Sequence, residues 1–470
     1  MIRRLIHLAK QVSYRQFLRN PRSELGRILG WFARRMGHIA DVTTHGNPQM
    51  PQWLQDELIA LAHIEPNLLR LQGDVRQYQH YGIPVMSRPG ELYGELIEKI
   101  GRGPYTHVMV LPWLVPGGAD RGAIYHLKAW SEKIPVNRIL VLTTEPNSSP
   151  WADRIPPGIR MVEFGLLTAE VNFDVQVQLM IRLLIQLQPG VIHNINSRVA
   201  WQSIMVAGLA LRQRSVLYAS LFCDDYDANM IPVGYARSYL RECHMHMETI
   251  FCDNSVYPAR WSHELGVPRS LFTILPFPYD RAWTETLPGR NVPVRPRVLW
   301  AGRLDRQKRP DLLAAIATAL PALDFDVHGV AVVSEEDPVL QLLRRLPNVH
   351  MHGLFKRLED VVQPDHIAYL HTSAWEGVPT ILFDVAAAGL PIVAPNVGGI
   401  RDFVAPDWLV ADFEDVAAHV HKLEALRDSP ELRLQRSQEQ YSQLSRGRSW
   451  DAFTARLGAN QHYLSTGFDA

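Results

Sequence analysis

Ala301-Gly302-Arg303-Leu304-Asp305-Arg306-Gln307-Lys308-Arg309-Pro310 follows a short apolar run, 297–301, that reads as a buried strand. Arg303 leaves the carboxyl end of that strand, and Lys308 stands five residues on, close to the start of a helix over 309–320. Two cations beside a helix N-terminus suit a diphosphate, because orphan N–H groups and the helix dipole already favour anions there. Taken alone, the stretch fits a solvated basic loop equally well.

A second stretch sharpens the choice: Trp375-Glu376-Gly377-Val378-Pro379-Thr380-Ile381-Leu382-Phe383-Asp384-Val385-Ala386-Ala387-Ala388-Gly389-Leu390-Pro391. It follows a strand expected over 366–371. Glu376 falls on the connecting loop, and Gly377 lets the backbone approach a ligand closely. Pro379 suits the first turn of a helix. The N–H groups of Thr380 and Ile381 then point out of the helix start, where they can hold phosphate oxygens. Asp384 lies on the same helix within reach of a ribose, although a surface charge or helix cap is the plainer role for either carboxylate. A third element, Pro395-Asn396-Val397-Gly398-Gly399-Ile400-Arg401, follows a strand over 391–394. Its glycine pair can turn backbone amides towards an oxyanion.

Outward from these loops, strands and helices alternate. Strands are expected over 106–111, 138–143, 161–164, 191–194, 215–222 and 249–252, then over 297–301, 325–330, 349–352, 366–371 and 391–394. Such alternation predicts an α/β chain with two doubly wound parallel sheets. Pro276, Pro278, Pro288, Pro293 and Pro296 mark a linker between them. Ligands of such folds sit outside the carboxyl ends of strands. A glycine-bearing turn, Gly117-Gly118-Ala119-Asp120, follows the first strand, and His193 sits in the fourth. Asp224-Asp225-Tyr226-Asp227 reads as a strand-end loop.

The three elements of the second half resemble the donor domain of retaining glycosyltransferases with the GT-B fold, family 4. That pattern has Gly-Arg, a Lys five residues later, Glu-Gly-x-Pro, a second acid eight residues after the Glu, and a downstream Gly-Gly. It is matched by Gly302-Arg303, Lys308, Glu376-Gly377-Val378-Pro379 and Gly398-Gly399, with Asp384 where the family has Glu. Gly117-Gly118-Ala119-Asp120 resembles the family's first loop. His193 takes the first place of its His-x-His pair, with Ile195 in the second. The resemblance covers about 105–465.

It implies a GT-B architecture of two Rossmann-like domains facing a cleft: an acceptor domain over 105–285, completed by the terminal helix 448–470, and a nucleotide-sugar donor domain over 290–445. It implies transfer of a sugar from a nucleotide diphosphate sugar, with retention, to a glycan or lipid-linked glycan acceptor in surface polysaccharide biosynthesis. Arg303, Lys308, Glu376 and His193 would take the catalytic roles. Asp384, Thr380, Ile381, Gly377, Phe355, Gly398, Gly399, Gly117 and Gly118 would bind the donor. No metal and no cofactor are expected, because basic side chains carry the diphosphate charge. The alternatives are a non-catalytic GT-B partner subunit and a nucleotide-sugar 2-epimerase.

The chain has 470 residues, too many for one ordinary core. Lys+Arg and Asp+Glu both number 48, which speaks against a nucleic-acid binder. Three cysteines form no disulfide framework, and no signal peptide is read, so a cytoplasmic location is expected. The balance hides an asymmetry. Residues 1–36 hold nine basic residues and one acid, Glu24. Leu25, Ile28, Leu29, Phe32 and Met36 share one helical face there, so the segment reads as a basic amphipathic helix suited to an anionic membrane surface, or to packing on the protein itself. Residues 1–104 are expected to form a helical basic extension.

Overall fold

The computed structural model describes residues 59–65, 88–101, 103–279, 295–332, 334 and 336–465. The chain divides into two units, Met1–Glu91 and Leu92–Ala470. In the first, residues 59–62 form one helical turn, with Ala62 buried. The amphipathic helix expected in 1–36 and the linker core over 280–294 lie outside the described residues.

The second unit holds two parallel sheets. The first has β1 (His107–Leu111), β2 (Ile139–Thr143), β3 (Arg160–Val162), β4 (Val191–Ile195), β5 (Val216–Ser220), β8 (Thr249–Cys252) and β9 (Phe272–Ile274), in the order β3-β2-β1-β4-β5-β8-β9. Two short strands between them, β6 (Asp225–Tyr226) and β7 (Pro232–Val233), form an antiparallel hairpin. The second sheet has β10 (Arg297–Ala301), β11 (Asp324–His328), β12 (Val349–Gly353), β13 (His366–Leu370) and β14 (Ile392–Val393), in the order β12-β11-β10-β13-β14. Each order reverses once, between β1 and β4 and between β10 and β13, which is where doubly wound sheets open a crevice. The expected α/β class and both sheets are present. The sequence reading passed over β9 and the hairpin, both too short to show a period.

The helices are α1 (Arg88–Ile100), α2 (Gly118–Ser131), α3 (Phe164–Leu167), α4 (Phe173–Leu187), α5 (Arg198–Leu211), α6 (Tyr235–Cys243), α7 (Val256–Leu265), α8 (Pro310–Ala319), α9 (Pro338–Arg345), α10 (Ile381–Ala387), α11 (Val416–Asp428), α12 (Pro430–Gly447) and α13 (Trp450–Gly458). Their ends follow local chemistry. Asn172 caps α4 by accepting from Val175 N–H at 3.0 Å, and Gln188 ends it in the left-handed region before Pro189-Gly190. Ser197 caps α5 through Ala200 N–H at 3.1 Å. Pro310 and Pro338 open α8 and α9 at the position where a missing N–H costs nothing.

The boundary expected at 104 needs correction. Leu92, Tyr93, Leu96 and Ile100 of α1 are buried in the same cluster as Val108, Val110 and Leu140 of the first sheet. Tyr93 donates to Gln186 of α4. A helix with one apolar face has to bury it, and α1 does so on this domain. In the second sheet, Asp326 accepts from Arg297 Nε at 2.5 Å and from His366 Nε2 at 2.9 Å. Burial raises that carboxyl, but His366, Arg297 and His352 together hold it well below the usual carboxylate range.

The chain end returns to the first sheet. Trp450 donates to Glu132 at 3.0 Å, and Thr249 donates to Asn460 at 3.0 Å. The Tyr463 hydroxyl lies 2.7 Å from both His126 Nδ1 and His193 Nδ1, and His193 Nε2 lies 2.9 Å from Ser220 Oγ. Burial lowers His107 to about 4 and His126 to about 3, and pushes His193 down as well. These rings bind protons less readily in the folded state than in the unfolded chain, whose histidines titrate near ~6.5. Stability should therefore be complete above that pH and fall as pH drops from it towards 3–4. Urea midpoints measured between pH 8 and pH 4 test this, and a flat profile below pH 6.5 contradicts it.

Candidate active site at the facing strand ends

The loops after β10 and β13 flank the crevice of the second sheet. Asp305 turns the first of them: its carboxylate accepts from Lys308 N–H at 3.0 Å and pairs with Arg303 at 3.1 Å. Thr372 donates to the Lys308 carbonyl at 2.5 Å and accepts from Trp300 Nε1 at 2.9 Å. Gln307 donates to the Trp375 carbonyl at 2.9 Å. These bonds tie the two loops together and bring the Lys308 ammonium onto Glu376 Oε1 as an ion pair. His371 Nε2 lies 3.6 Å from the same oxygen, an electrostatic contact beyond hydrogen-bond length.

Glu376 is only 8% exposed. Burial raises its carboxyl, but Lys308 first, and His371 after it, outweigh that and leave it at about 2. His371 goes the other way: burial and Lys308 lower it, and Glu376 offsets them only in part. At neutral pH Glu376 is therefore a carboxylate and His371 a neutral imidazole. Arg303 is not gathered into it. It stands at the rim, 62% exposed, held by Asp305 and by Gln307 at 3.0 Å.

The first domain supplies the opposite wall. Asp253, in the loop after β8, accepts from Val378 N–H at 2.9 Å and is buried. Burial pushes its carboxyl up to about 6, against the Val378 and Asn254 bonds. A Cβ at Gly377 would lie 3.0 Å from Asp253 Oδ2, so the close approach expected at Gly377 is to this carboxylate. Asp402 accepts from Ser255 N–H at 2.5 Å and from its hydroxyl at 2.8 Å. Arg306 donates to the Tyr226 and Asp227 carbonyls and stacks over Trp375 at 5.2 Å. Asp224 of the same loop is buried, bound by Arg237 at 2.6 Å and Trp261 at 2.7 Å.

Gly118 opens α2 beside Thr380: a Cβ there would meet the Thr380 methyl at 3.6 Å. The N–H groups of Thr380 and Ile381 make no backbone hydrogen bond among the described residues. Asp384 meets Arg121 of α2 at 3.5 Å, so the carboxylate expected at a ribose carries a cation from the facing domain. Gly117 abuts Asp120, and burial raises that carboxyl to about 6. Phe355 is half-buried, edge-on to His328 with ring centres 5.9 Å apart. Gly399 N–H donates to the Gly377 carbonyl at 3.0 Å, so the two glycine loops nest.

His193 requires correction. It is the third of five residues in β4, fully buried, with both ring nitrogens engaged by Tyr463 and Ser220. It lies inside the core and not at the cleft. Sequence reasoning missed Arg121 and Asp253, whose partners lie on the other domain, and passed over His371 as a strand end. Among the described residues no group of three His, Cys, Asp or Glu could hold a metal ion.

Gly398 has φ +49°, and a Cβ on it would fall 1.7 Å from the Glu376 carbonyl oxygen. Gly398→Ala should therefore displace the Glu376 loop and lower stability by about 1–3 kcal/mol, read as a shift of the urea midpoint. An unshifted midpoint contradicts it.

Residues 295–427 match the family model described as Glycosyl transferases group 1. No curated protein matches the chain in sequence. Solved structures do match in fold. The G117R mutant of S. aureus TarM, in complex with fondaparinux, alpha-GlcNAc-glycerol and UDP, aligns at a TM-score of 0.58 and 10% identity, over 76% of this chain and 99% of its own. Anabaena Alr3699/HepE, in complex with UDP and glucose, aligns at 0.58 and 16% identity, over 76% and 98%. The lipopolysaccharide outer core galactosyltransferase WaaB aligns at 0.58 and 14% identity, over 75% and 98%. The chain thus has the GT-B fold of these glycosyltransferases, and its second domain carries the sequence pattern of glycosyl transferases group 1.

Proposed function

We propose that the protein is a retaining glycosyltransferase that moves a sugar from a nucleotide diphosphate sugar to a glycan or lipid-linked glycan acceptor in surface polysaccharide biosynthesis. The observation that carries this reading is the pair of Lys308 with the buried Glu376 at the carboxyl ends of β10 and β13, inside the stretch that matches the family. The structural neighbours support the substrate class: TarM and HepE are bound to UDP, and WaaB is a lipopolysaccharide outer core galactosyltransferase.

In this reading the diphosphate lies along the Arg303–Lys308 loop and the start of α10, where Thr380 and Ile381 offer N–H groups. Charge builds on the leaving phosphate as the glycosidic C–O bond breaks. Cations fixed at that place stabilise it more in the transition state than before it. Arg303, exposed on the rim, swings in to the diphosphate. Lys308 is already placed, and anchors Glu376 as a carboxylate that binds sugar hydroxyls and faces the oxocarbenium-like centre. The ribose competes with Arg121 for Asp384, a contact already long at 3.5 Å. The base lies on Phe355. The acceptor enters past Gly117 and Gly118, and the nested Gly398 and Gly399 keep the Glu376 loop in place. The reaction runs in the cytoplasm, at the inner face of the membrane.

Two measurements test this. Calorimetry with UDP, GDP, ADP and dTDP should find selective binding of one nucleotide, abolished in Lys308→Ala; a folded protein that binds none of them rejects the reading. Once the donor is known, Lys308→Ala and Arg303→Ala should each remove about 2–4 kcal/mol of transition-state stabilisation, seen in kcat/KM. Unchanged turnover in both would falsify their assignment.

A further inference from the structure

Glu376 is held twice through one oxygen. Lys308 reaches Oε1 from the loop after β10, and His371 Nε2 faces the same Oε1 from just past the end of β13, at 3.6 Å. The two partners differ. Lys308 is partly exposed and shares its loop with Arg303. His371 is buried, and its Nε2 makes no hydrogen bond among the described residues. A buried polar nitrogen without a partner is costly, and most find one. His193 shows the ordinary case, with Tyr463 on one ring nitrogen and Ser220 on the other. His371 instead stops short of a carboxylate that another side chain has already neutralised.

The titratable groups around the ring are few. Lys308 and Glu376 act on it directly, and burial with Lys308 keeps it neutral against the pull of Glu376. The Tyr369 ring lies 6.2 Å away, centre to centre, and its hydroxyl donates to the Ala301 carbonyl at 2.9 Å. From the first domain, Asp253 comes up to Gly377, and Cys223 stays a thiol because burial, Glu376 and Asp253 all push it up. As it stands, Lys308 balances Glu376. A diphosphate arriving at Arg303 and Lys308 upsets that balance. It brings more than one negative charge and takes a share of Lys308, while Arg303 adds a single positive one. Excess negative charge beside an imidazole raises its affinity for a proton.

We propose that His371 is a positioning residue for Glu376: as the donor diphosphate takes a share of Lys308, the His371 ring takes up a proton from solvent and its Nε2–H closes onto Glu376 Oε1. An imidazolium carries hydrogens on both nitrogens, so it donates whichever tautomer it starts from. A charge-assisted bond of this kind is shorter and stronger than a neutral one. Glu376 thus stays a carboxylate with a fixed direction while Lys308 serves the leaving group. The inference rests on the transferase reading above and adds that the donor binds together with a proton. The sign follows from linkage. The bound ring keeps its proton to higher pH than the free ring does, so donor affinity rises as pH falls through neutrality.

The test is calorimetry of the full chain with UDP, GDP, ADP and dTDP at neutral pH, in buffers of differing ionisation enthalpy. For the nucleotide that binds, the change of heat with buffer counts the protons taken up. The parent should take up about half a proton or more beyond the count in His371→Gln and in His371→Asn, where the nucleotide's own titration is the same. The parent's affinity relative to both variants should rise about threefold or more between pH 8 and pH 6, whereas a merely structural role would shift affinity equally at both. Nitrogen NMR of isotope-labelled histidines in the parent needs no variant: on saturation with the nucleotide, one ring should pass from the neutral to the imidazolium pattern. No ring changing state overturns the inference and leaves the transferase reading standing. So does a proton count no higher in the parent than in the variants; uptake that persists there belongs to Asp253 or Asp120, which burial raises to about 6. A folded protein that binds none of the nucleotides removes both.

Discussion

A buried carboxylate needs a counterion, and the partly buried Lys308 supplies one to Glu376. Without that cation, burial would raise the Glu376 carboxyl. The loops around them follow from this need. Asp305 bends one loop so that Lys308 can reach inward, and Thr372 and Gln307 bind it to the next. The glycines at 377 and 398 keep side chains out of the space these loops share with Asp253 and with the Glu376 carbonyl. A charged pair kept dry and fixed costs no reorganisation when new charge appears beside it, which is the general value of preorganised electrostatics.

The two domains meet through polar contacts and through apolar ones, since one buried cluster runs from Leu111 and Phe277 to Val378 and Phe383. Asp253, Ser255 and Arg121 on one side meet Val378, Asp402 and Asp384 on the other. Among the polar contacts, Asp253–Val378 is short at 2.9 Å and Arg121–Asp384 long at 3.5 Å.

Much of this was legible in the sequence, and the losses have physical causes. Strands such as β1, β4, β10 and β13 announce themselves as apolar runs punctuated by Pro and Gly, because both faces are buried. The loops that carry Arg303, Lys308, Glu376 and Gly398 sit at strand ends, where spacing along the chain translates directly into place. His193 was misplaced because a histidine in a strand looks the same whether it faces a cleft or the core. What decides is Tyr463, 270 residues away. Arg121 and Asp253 stayed hidden for a similar reason, since their partners belong to the other sheet. Helix α1 was assigned to the extension because its apolar face gives no sign of what it packs on.

Tyr463 has a consequence for how the protein is made. Its hydroxyl closes the polar centre of the first sheet by joining His126 and His193, which were synthesised 337 and 270 residues earlier. At ordinary elongation rates of roughly 5–20 residues per second, the ribosome needs on the order of tens of seconds to cover that interval. During this time the first sheet has its strands but lacks its last plug, while the whole second domain emerges behind it. The domain that begins first is thus completed after the second, and its core lacks this plug until residue 463 has been made.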